Sequence, residues 1–520
     1  MCGIIGYVGP KNAAPILLAG LRRMEYRGYD SAGIALLDDH KMEVIKRKGK
    51  IAELAAAIPD GVPGTAGIGH TRWATHGNPS ERNAHPHVAG RIALVHNGII
   101  ENYAELKAKL ADTGATYKSD TDSEVLAHLI NHEYIEGRKL AEAVRISLQQ
   151  VEGTFGLTVI SNNEPGVIIA ARRGSPLLLG IGEDAMFVAS DASAVVGHTD
   201  RVVYLEDDQL AVCKAHKYKL YDLNRRPQHP SVTTLKLELE AIEKAGYEHF
   251  LLKEIMEQPV SVANALRGRL DLKGGTSHLG GLNVHDSFLR QQERFLIIGC
   301  GTAYYAGLVG KYLLERMTGI PVDVEVGSEF RYREPALTPG TLALIISQSG
   351  ETADTMACLR ELKKRGVPTL GLINVVGSSL ARGVDGGVYL HAGPEISVAS
   401  TKAFTAQVVG QLMVGLQVGK ARSLSLRTGR EIVRALESLP DAITEALKLA
   451  PQVKKLAKKY AKFEHAMYLG RDSLFPVALE GSHKLKECSY IHAEAYPAGE
   501  MKHGANALID KDLLMIFLAL

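Results

Sequence analysis

Residues Phe295–Met317, "FLIIGCGTAYYAGLVGKYLLERM", read as an apolar strand, a Gly/Cys/Thr loop and a helix. Thr341–Leu362, "TLALIISQSGETADTMACLREL", repeats that plan, and Pro368–Leu390 supplies two further strands. Strand–loop–helix units in series predict an α/β doubly wound parallel sheet over residues 285–430. His465–Cys488 offers a strand, a Gly-Arg loop and a helix again, predicting a second copy of the same fold over residues 455–520. That copy is expected to be incomplete, because a full one needs ~120 residues or more.

Upstream the pattern differs. Residues 2–225 alternate short β-branched runs ("GIIGYVG", "SAGIALL", "RIALVHNGII", "FGLTVI") with Gly/Asn/Asp turns, interrupted by helical stretches such as "TDSEVLAHLINHEY". Many strands at short spacing with a few helices predict an α+β layered domain. Residues 226–250 turn polar and Pro-containing, a linker signature, and one amphipathic helix is expected over Phe250–Leu270.

The 520 residues carry Lys+Arg 60 against Asp+Glu 58, a net charge of +2, so no bulk field draws the chain to nucleic acid or to a membrane surface. No apolar run approaches the ~20 residues that span a bilayer. The amino terminus lacks the basic region and the long apolar core of a signal sequence. Five cysteines, widely scattered and without a CxxC pair, argue against a disulfide framework and a zinc site and for a reducing cytoplasm. No metal or redox cofactor is expected.

The first nine residues, "MCGIIGYVG", admit three readings: a trimmed signal, a first strand with an incidental cysteine, or a nucleophile at the chain terminus. Removal of Met1 would leave a thiol and an α-amine on Cys2, and an amine of pKa about 7.7–8.0 can act as base for its own side chain. "GHTRWATHG" (Gly69–Gly77) sets Arg72, Trp73, Thr75 and His76 at a strand-to-loop junction. In "VHNGIIEN" (Val95–Asn102), Asn97-Gly98 can aim an amide and a backbone N–H at one point, as an oxyanion hole requires, or simply form a turn. "SDTDSE" (Ser119–Glu124) places Asp122 at a helix start, where an N-cap is the plain alternative.

Together "CGIIGY", "HTRWATHG", "HNGIIEN" and "SDTDSE" resemble the class II glutamine amidotransferase family, whose catalytic domain is an N-terminal nucleophile hydrolase. The resemblance implies that Cys2 attacks the glutamine carboxamide and that Asn97 and the Gly98 N–H hold the oxyanion. It implies that Arg72 binds the substrate α-carboxylate and Asp122 the α-ammonium, with Thr75 and His76 lining the pocket. Trp73, the only tryptophan, falls where the family has a gate to its ammonia channel.

"SQSGET" (Ser347–Thr352) brings three hydroxyls, an amide and a glycine to a predicted helix N-terminus, a phosphate cradle, and "GCGT" (Gly299–Thr302) holds the equivalent place one unit earlier. Neither is GxGxxG, so a dinucleotide is not expected. These loops, with "VASTKAFT" (398–405) and "LEGSHKLKECSYIHAEAYPAGEMKHG" (479–504), resemble the sugar isomerase domain family. By that resemblance Ser347, Gln348, Ser349 and Thr352 hold the sugar phosphate. Thr302, Val398 and Ser400 contact the sugar and Cys300 lines the loop. Glu487 shuttles a proton between C1 and C2, Lys484 supports it, and His503 assists ring opening from a neighbouring subunit of a homodimer. The family's chains run on past this length, implying a C-terminal truncation here. The order of the two families implies conversion of glutamine and fructose 6-phosphate to glutamate and glucosamine 6-phosphate, with ammonia passed internally. A form keeping only glutaminase activity, or a non-catalytic sugar-phosphate-binding protein, is the alternative. Glutamate release with and without fructose 6-phosphate, alongside detection of glucosamine 6-phosphate, separates them.

Overall fold

The computed structural model describes residues 2–25, 28, 30–59, 61–73, 78–235, 244–282 and 286–519, and Thr75 and His76 lie outside them. The chain divides into two compact units, residues 1–243 and 244–520.

In the first unit an eight-stranded antiparallel sheet faces a six-stranded one. Strand β1 (Gly3–Val8) lies in the larger sheet between Met186–Ala189 and β2 (Ala66–Arg72). Its side chains alternate between two apolar layers. Ile5 and Tyr7 pack with Leu17 and Leu21 of the helix Ala13–Arg23, while Ile4 and Val8 pack with Ala93, Val95 and Ile160 of the second sheet. Burial on both faces explains why "GIIGYV" shows no polar alternation. In the second sheet β3 (Ile92–Ile100) pairs with β4 (Gly153–Ser161), and Leu94 and Leu157 pack on Leu126 and Ile130 of helix α1 (Asp122–Glu133). The result is four layers: helix, sheet, sheet, helix. Within the segment expected as linker, Thr233–Thr234 instead pairs with Arg201–Tyr204 at the edge of the larger sheet.

The second unit opens with two abutting helices, α2 (Phe250–Met256) and α3 (Gln258–Leu266), where one was expected. The reason is Pro259, which has no N–H to donate back and is accommodated in the first turn of a new helix. Five parallel strands follow: β5 (Arg294–Gly299), β6 (Val322–Val326), β7 (Thr341–Ser347), β8 (Thr369–Ile373) and β9 (Gly386–Tyr389), in spatial order β6-β5-β7-β8-β9. Helices α4 (Thr302–Thr318) and α6 (Lys402–Arg422) cover one face through Leu314, Val409 and Met413. Helix α5 (Ala353–Lys364) covers the other through Cys358, Leu359 and Leu362. This is a doubly wound α/β sheet, and its strand order reverses between β5 and β7. Helix α7 (Leu474–Ser489) packs on a further parallel sheet of β10 (His465–Gly470), β11 (His492–Pro497) and β12 (Leu513–Phe517), in the order β11-β10-β12.

Candidate active sites

The register of β1 on β2 sets Gly3 opposite Thr71, which brings Cys2 beside the end of β2. The Trp73 N–H donates to Cys2 Sγ at 3.3 Å, and Asn97 Nδ2 donates to the Cys2 carbonyl at 3.0 Å. Arg72 is buried, which lowers its pKa, and the charges of Asp30 and Asp122 and the Cys2 thiol offset that burial. Asp122 is also buried. It is the first residue of α1 rather than its N-cap, a position taken by Thr121, and its Oδ2 accepts the Ile100 N–H at 2.8 Å. Gly98 has φ +140°, and a Cβ there would collide with the Thr154 carbonyl, so this position in β3 requires glycine. Trp73 is 37% exposed. Cys2, Arg72, Trp73, Asn97, Gly98 and Asp122 therefore sit on β1, β2, β3 and α1 and the residues flanking them, with Trp73 and Asn97 in contact with Cys2 and the Arg72 charge close enough to feel Cys2 and Asp122.

The sequence reading missed His70. It is fully buried, burial pushes its pKa down to about 3, and its Nε2 lies 2.9 Å from Asn97 Oδ1.

In the second unit, the loops after β5 and β7 flank the reversal of strand order, where open parallel sheets bind ligands. Ser347 closes β7, and its Oγ accepts the Gly350 N–H at 2.9 Å. Ser349 Oγ accepts the Glu351 N–H at 3.2 Å, and the Gln348 carbonyl accepts the Val375 N–H at 3.2 Å. Thr352 is the N-cap of α5 and its side chain caps nothing. Gly350 has φ +65°, and a Cβ there would collide with Ser378 Oγ. The hydroxyls and the free end of α5 thus form a turn suited to an anion. Cys300 lies half-buried against Gly327, and its thiol pKa is raised by burial.

Thr302 Oγ1 donates to Glu480 Oε1 at 2.9 Å, tying the β5–α4 loop to α7. Glu480, Lys484 and Glu487 recur on one face of α7, so Lys484 Nζ stands 3.6 Å from Glu480 and pairs closely with Glu487, whose other oxygen lies 3.5 Å from His483 Nε2. Burial raises Glu480 to about 7, against the pull of Lys484 and the Thr302 bond. Glu480 was not among the expected site residues, although its spacing of four from Lys484 points to it. His503 ends the 3-10 segment Ala498–His503 and is exposed.

Val398 is 52% exposed, and Ser400 Oγ donates to Glu395 Oε2 at 2.7 Å. This loop is clamped by α2. Glu254 Oε1 accepts the N–H groups of Ile396 and Ser397 at 2.5 and 3.0 Å, and Lys402 Nζ meets Glu257 at 2.7 Å. Glu254 is 2% exposed, and burial raises it to about 7. Among the described residues no group of three or more His, Cys, Asp or Glu is placed to hold a metal ion, and no helix is long and apolar enough to cross a membrane.

Residues 70–197 match the glutamine amidotransferase domain family, and residues 288–414 and 459–520 match the SIS domain family. Along its whole length the chain is 49% identical to the glutamine–fructose-6-phosphate aminotransferase (isomerizing) of Chlorobaculum tepidum and covers 86% of that protein. The chain belongs to the glutamine–fructose-6-phosphate aminotransferase (isomerizing) family. The Bacteroides thetaiotaomicron member is 47% identical over the whole chain, which again spans 86% of its length. Among solved structures, the C-terminal domain of glucosamine-fructose-6-phosphate aminotransferase from Francisella tularensis aligns with 53% of the chain and 77% of its own, at 40% identity and a TM-score of 0.51.

Proposed function

We propose that the chain uses glutamine nitrogen to convert fructose 6-phosphate to glucosamine 6-phosphate and glutamate, with the following division of labour. With Met1 removed, the Cys2 α-amine takes the thiol proton and the thiolate adds to the carboxamide carbon. Asn97 Nδ2 and the Gly98 N–H stabilise the resulting oxyanion, ammonia leaves, and water hydrolyses the thioester to glutamate. Arg72 and Asp122 select a zwitterionic substrate by its α-groups, with Thr75 and His76 beside them and Trp73 gating the ammonia's exit.

In the second unit Ser347, Gln348, Ser349 and Thr352 hold the phosphate, while Thr302, Val398, Ser400 and Cys300 line the sugar. Ammonia condenses with the C2 carbonyl of the open-chain ketose, releasing water. Glu487 then takes a proton from C1 and returns it at C2 while the C1 hydroxyl proton passes to the imine nitrogen, leaving an aldehyde at C1 and an amine at C2, with Lys484 holding the carboxylate in place. His503 serves ring opening in a homodimer, supplied by the partner. The described cysteines are all free thiols, in keeping with a cytoplasmic setting.

The observation that carries the glutaminase assignment is the convergence of Trp73 and Asn97 on Cys2, at 3.3 Å to its thiol and 3.0 Å to its carbonyl. Cys2→Ala tests it. Glutamate release from glutamine should vanish, and with it glucosamine 6-phosphate formed from glutamine. Persisting glutamate release refutes the nucleophile.

A further inference from the structure

An asparagine amide has two ends of nearly equal shape, and only the NH2 end can stabilise an oxyanion; the carbonyl end would repel it. Something must fix which end of Asn97 faces the thiol. Among the described residues that amide makes two hydrogen bonds. Nδ2 reaches the Cys2 carbonyl, an obligate acceptor, at 3.0 Å, and Oδ1 lies 2.9 Å from His70 Nε2.

We infer that His70 is a positioning residue for the glutaminase reaction, its Nε2–H holding Asn97 Oδ1 so that the amide presents its NH2 to the oxyanion. The inference rests on Asn97 being an oxyanion donor, as proposed above. His70 is 0% exposed on β2, with its ring 4.1 Å from that of His85. Burial keeps it neutral, so it carries one ring proton. Nε2 has a close acceptor in Asn97 Oδ1, whereas Nδ1 is buried and makes no hydrogen bond with a described residue. A buried N–H without a partner is rarer and costlier than an under-used acceptor, which puts the proton on Nε2. A weaker pull on this ring than that of Asn97 comes from the His96 carbonyl, without a hydrogen bond of normal geometry to Nδ1.

The neutral ring suits the role. An imidazolium could donate from both nitrogens and would set a second cation beside Arg72. A neutral Nε2–H tautomer fixes the amide while leaving Arg72 as the cation that reads the substrate carboxylate.

The 520-residue chain tests this with His70→Gln, which keeps an N–H donor at similar reach, and His70→Met, which fills similar space without one. Asn97→Ala and the Asn97→Ala/His70→Met double variant complete the set. For glutamate release, Asn97→Ala should lower kcat by about 10²–10³-fold. His70→Met should lower kcat by about 10–100-fold with the KM for glutamine held within about twofold, and His70→Gln should recover most of the loss. The double variant should be no slower than Asn97→Ala, because the histidine acts through the asparagine. Binding of glutamate γ-semialdehyde, whose thiohemiacetal oxygen would occupy the oxyanion position, should weaken in step with kcat.

Equal losses in His70→Gln and His70→Met, or additive losses in the double variant, overturn the inference alone. An unchanged kcat in Asn97→Ala overturns the oxyanion assignment and the inference with it. If His70→Met does not fold, ¹⁵N shifts of the wild-type histidine rings decide, with the His70→Gln spectrum assigning the resonance. A proton on Nε2 supports the inference; a proton on Nδ1, drawn by the His96 carbonyl, refutes it.

Discussion

Glu254→Gln isolates the cost of a buried carboxylate in the clamp on the loop at 395–403. Glutamine keeps the oxygen that accepts the Ile396 and Ser397 N–H groups and removes the ionisable one, which is buried without a partner in the described structure. In the folded chain the carboxyl titrates at about 7, against 4.5 in an open chain, with burial as the leading cause. Below pH 4.5 it is protonated in both states and costs nothing extra. Between 4.5 and about 7 the unfolded chain ionises while the folded chain holds its proton, so folding stability falls as pH rises; above 7 the full penalty is present. At about 1.4 kcal/mol per tenfold change in proton activity, the gap between 4.5 and about 7 caps that penalty at about 3 kcal/mol, most of which develops between pH 5 and 8. The variant has no such titration. Its stability relative to the parent should therefore rise by about that amount from pH 5 to 8, measured by urea unfolding at each pH. The comparison at matched pH cancels Glu480, which also titrates near 7. Parallel pH profiles for parent and variant would refute the reasoning.

Gly98→Ala should cost about 1–3 kcal/mol through its left-handed backbone and lower kcat for glutamate release by about 10²–10³-fold, as measured by thermal melting and product assay. Wild-type values for both would remove Gly98 from the site. Gly350→Ala should raise the KM for fructose 6-phosphate at least tenfold while leaving glutamate release by the first unit intact, because its Cβ collides with Ser378 Oγ and opens the phosphate turn. An unchanged KM in steady-state assays would show that this turn does not hold the phosphate.

What was legible in the sequence follows from what local pattern encodes. Apolar runs ended by Gly-rich turns marked β1, β5 and β7, and the residues around Cys2, Asn97 and Asp122 stood out because polar groups interrupted strand and helix signals. Tertiary arrangements were not legible. His70 sits in a strand whose neighbours are apolar or small, so nothing local separates it from a core histidine; its contact with Asn97 exists only through sheet packing. Glu254 and Lys402 look like surface charges on helices, yet both are buried because their partners come from the loop at 395–403 and from Glu257 at the α2–α3 junction. Pro259 did carry a signal, and reading Phe250–Leu270 as one helix ignored it. Thr233–Thr234 carries no strand signal beyond its β-branching; the open edge beside Arg201–Tyr204 recruits it.

The hydrogen bond from Thr302 to Glu480 joins residues 178 positions apart. A ribosome adding about 5–20 residues per second delivers the carboxylate roughly 9 to 36 seconds after the threonine. Every described residue around Cys2, up to Asp122, has been made long before either of them. During synthesis there is thus an interval in which a nascent chain can hold a finished thiol pocket and an unfinished sugar end. On the role proposed for Cys2, a chain stalled in that interval would release ammonia with no acceptor of its own, which gives translation speed between residues 302 and 480 a bearing on wasted glutamine.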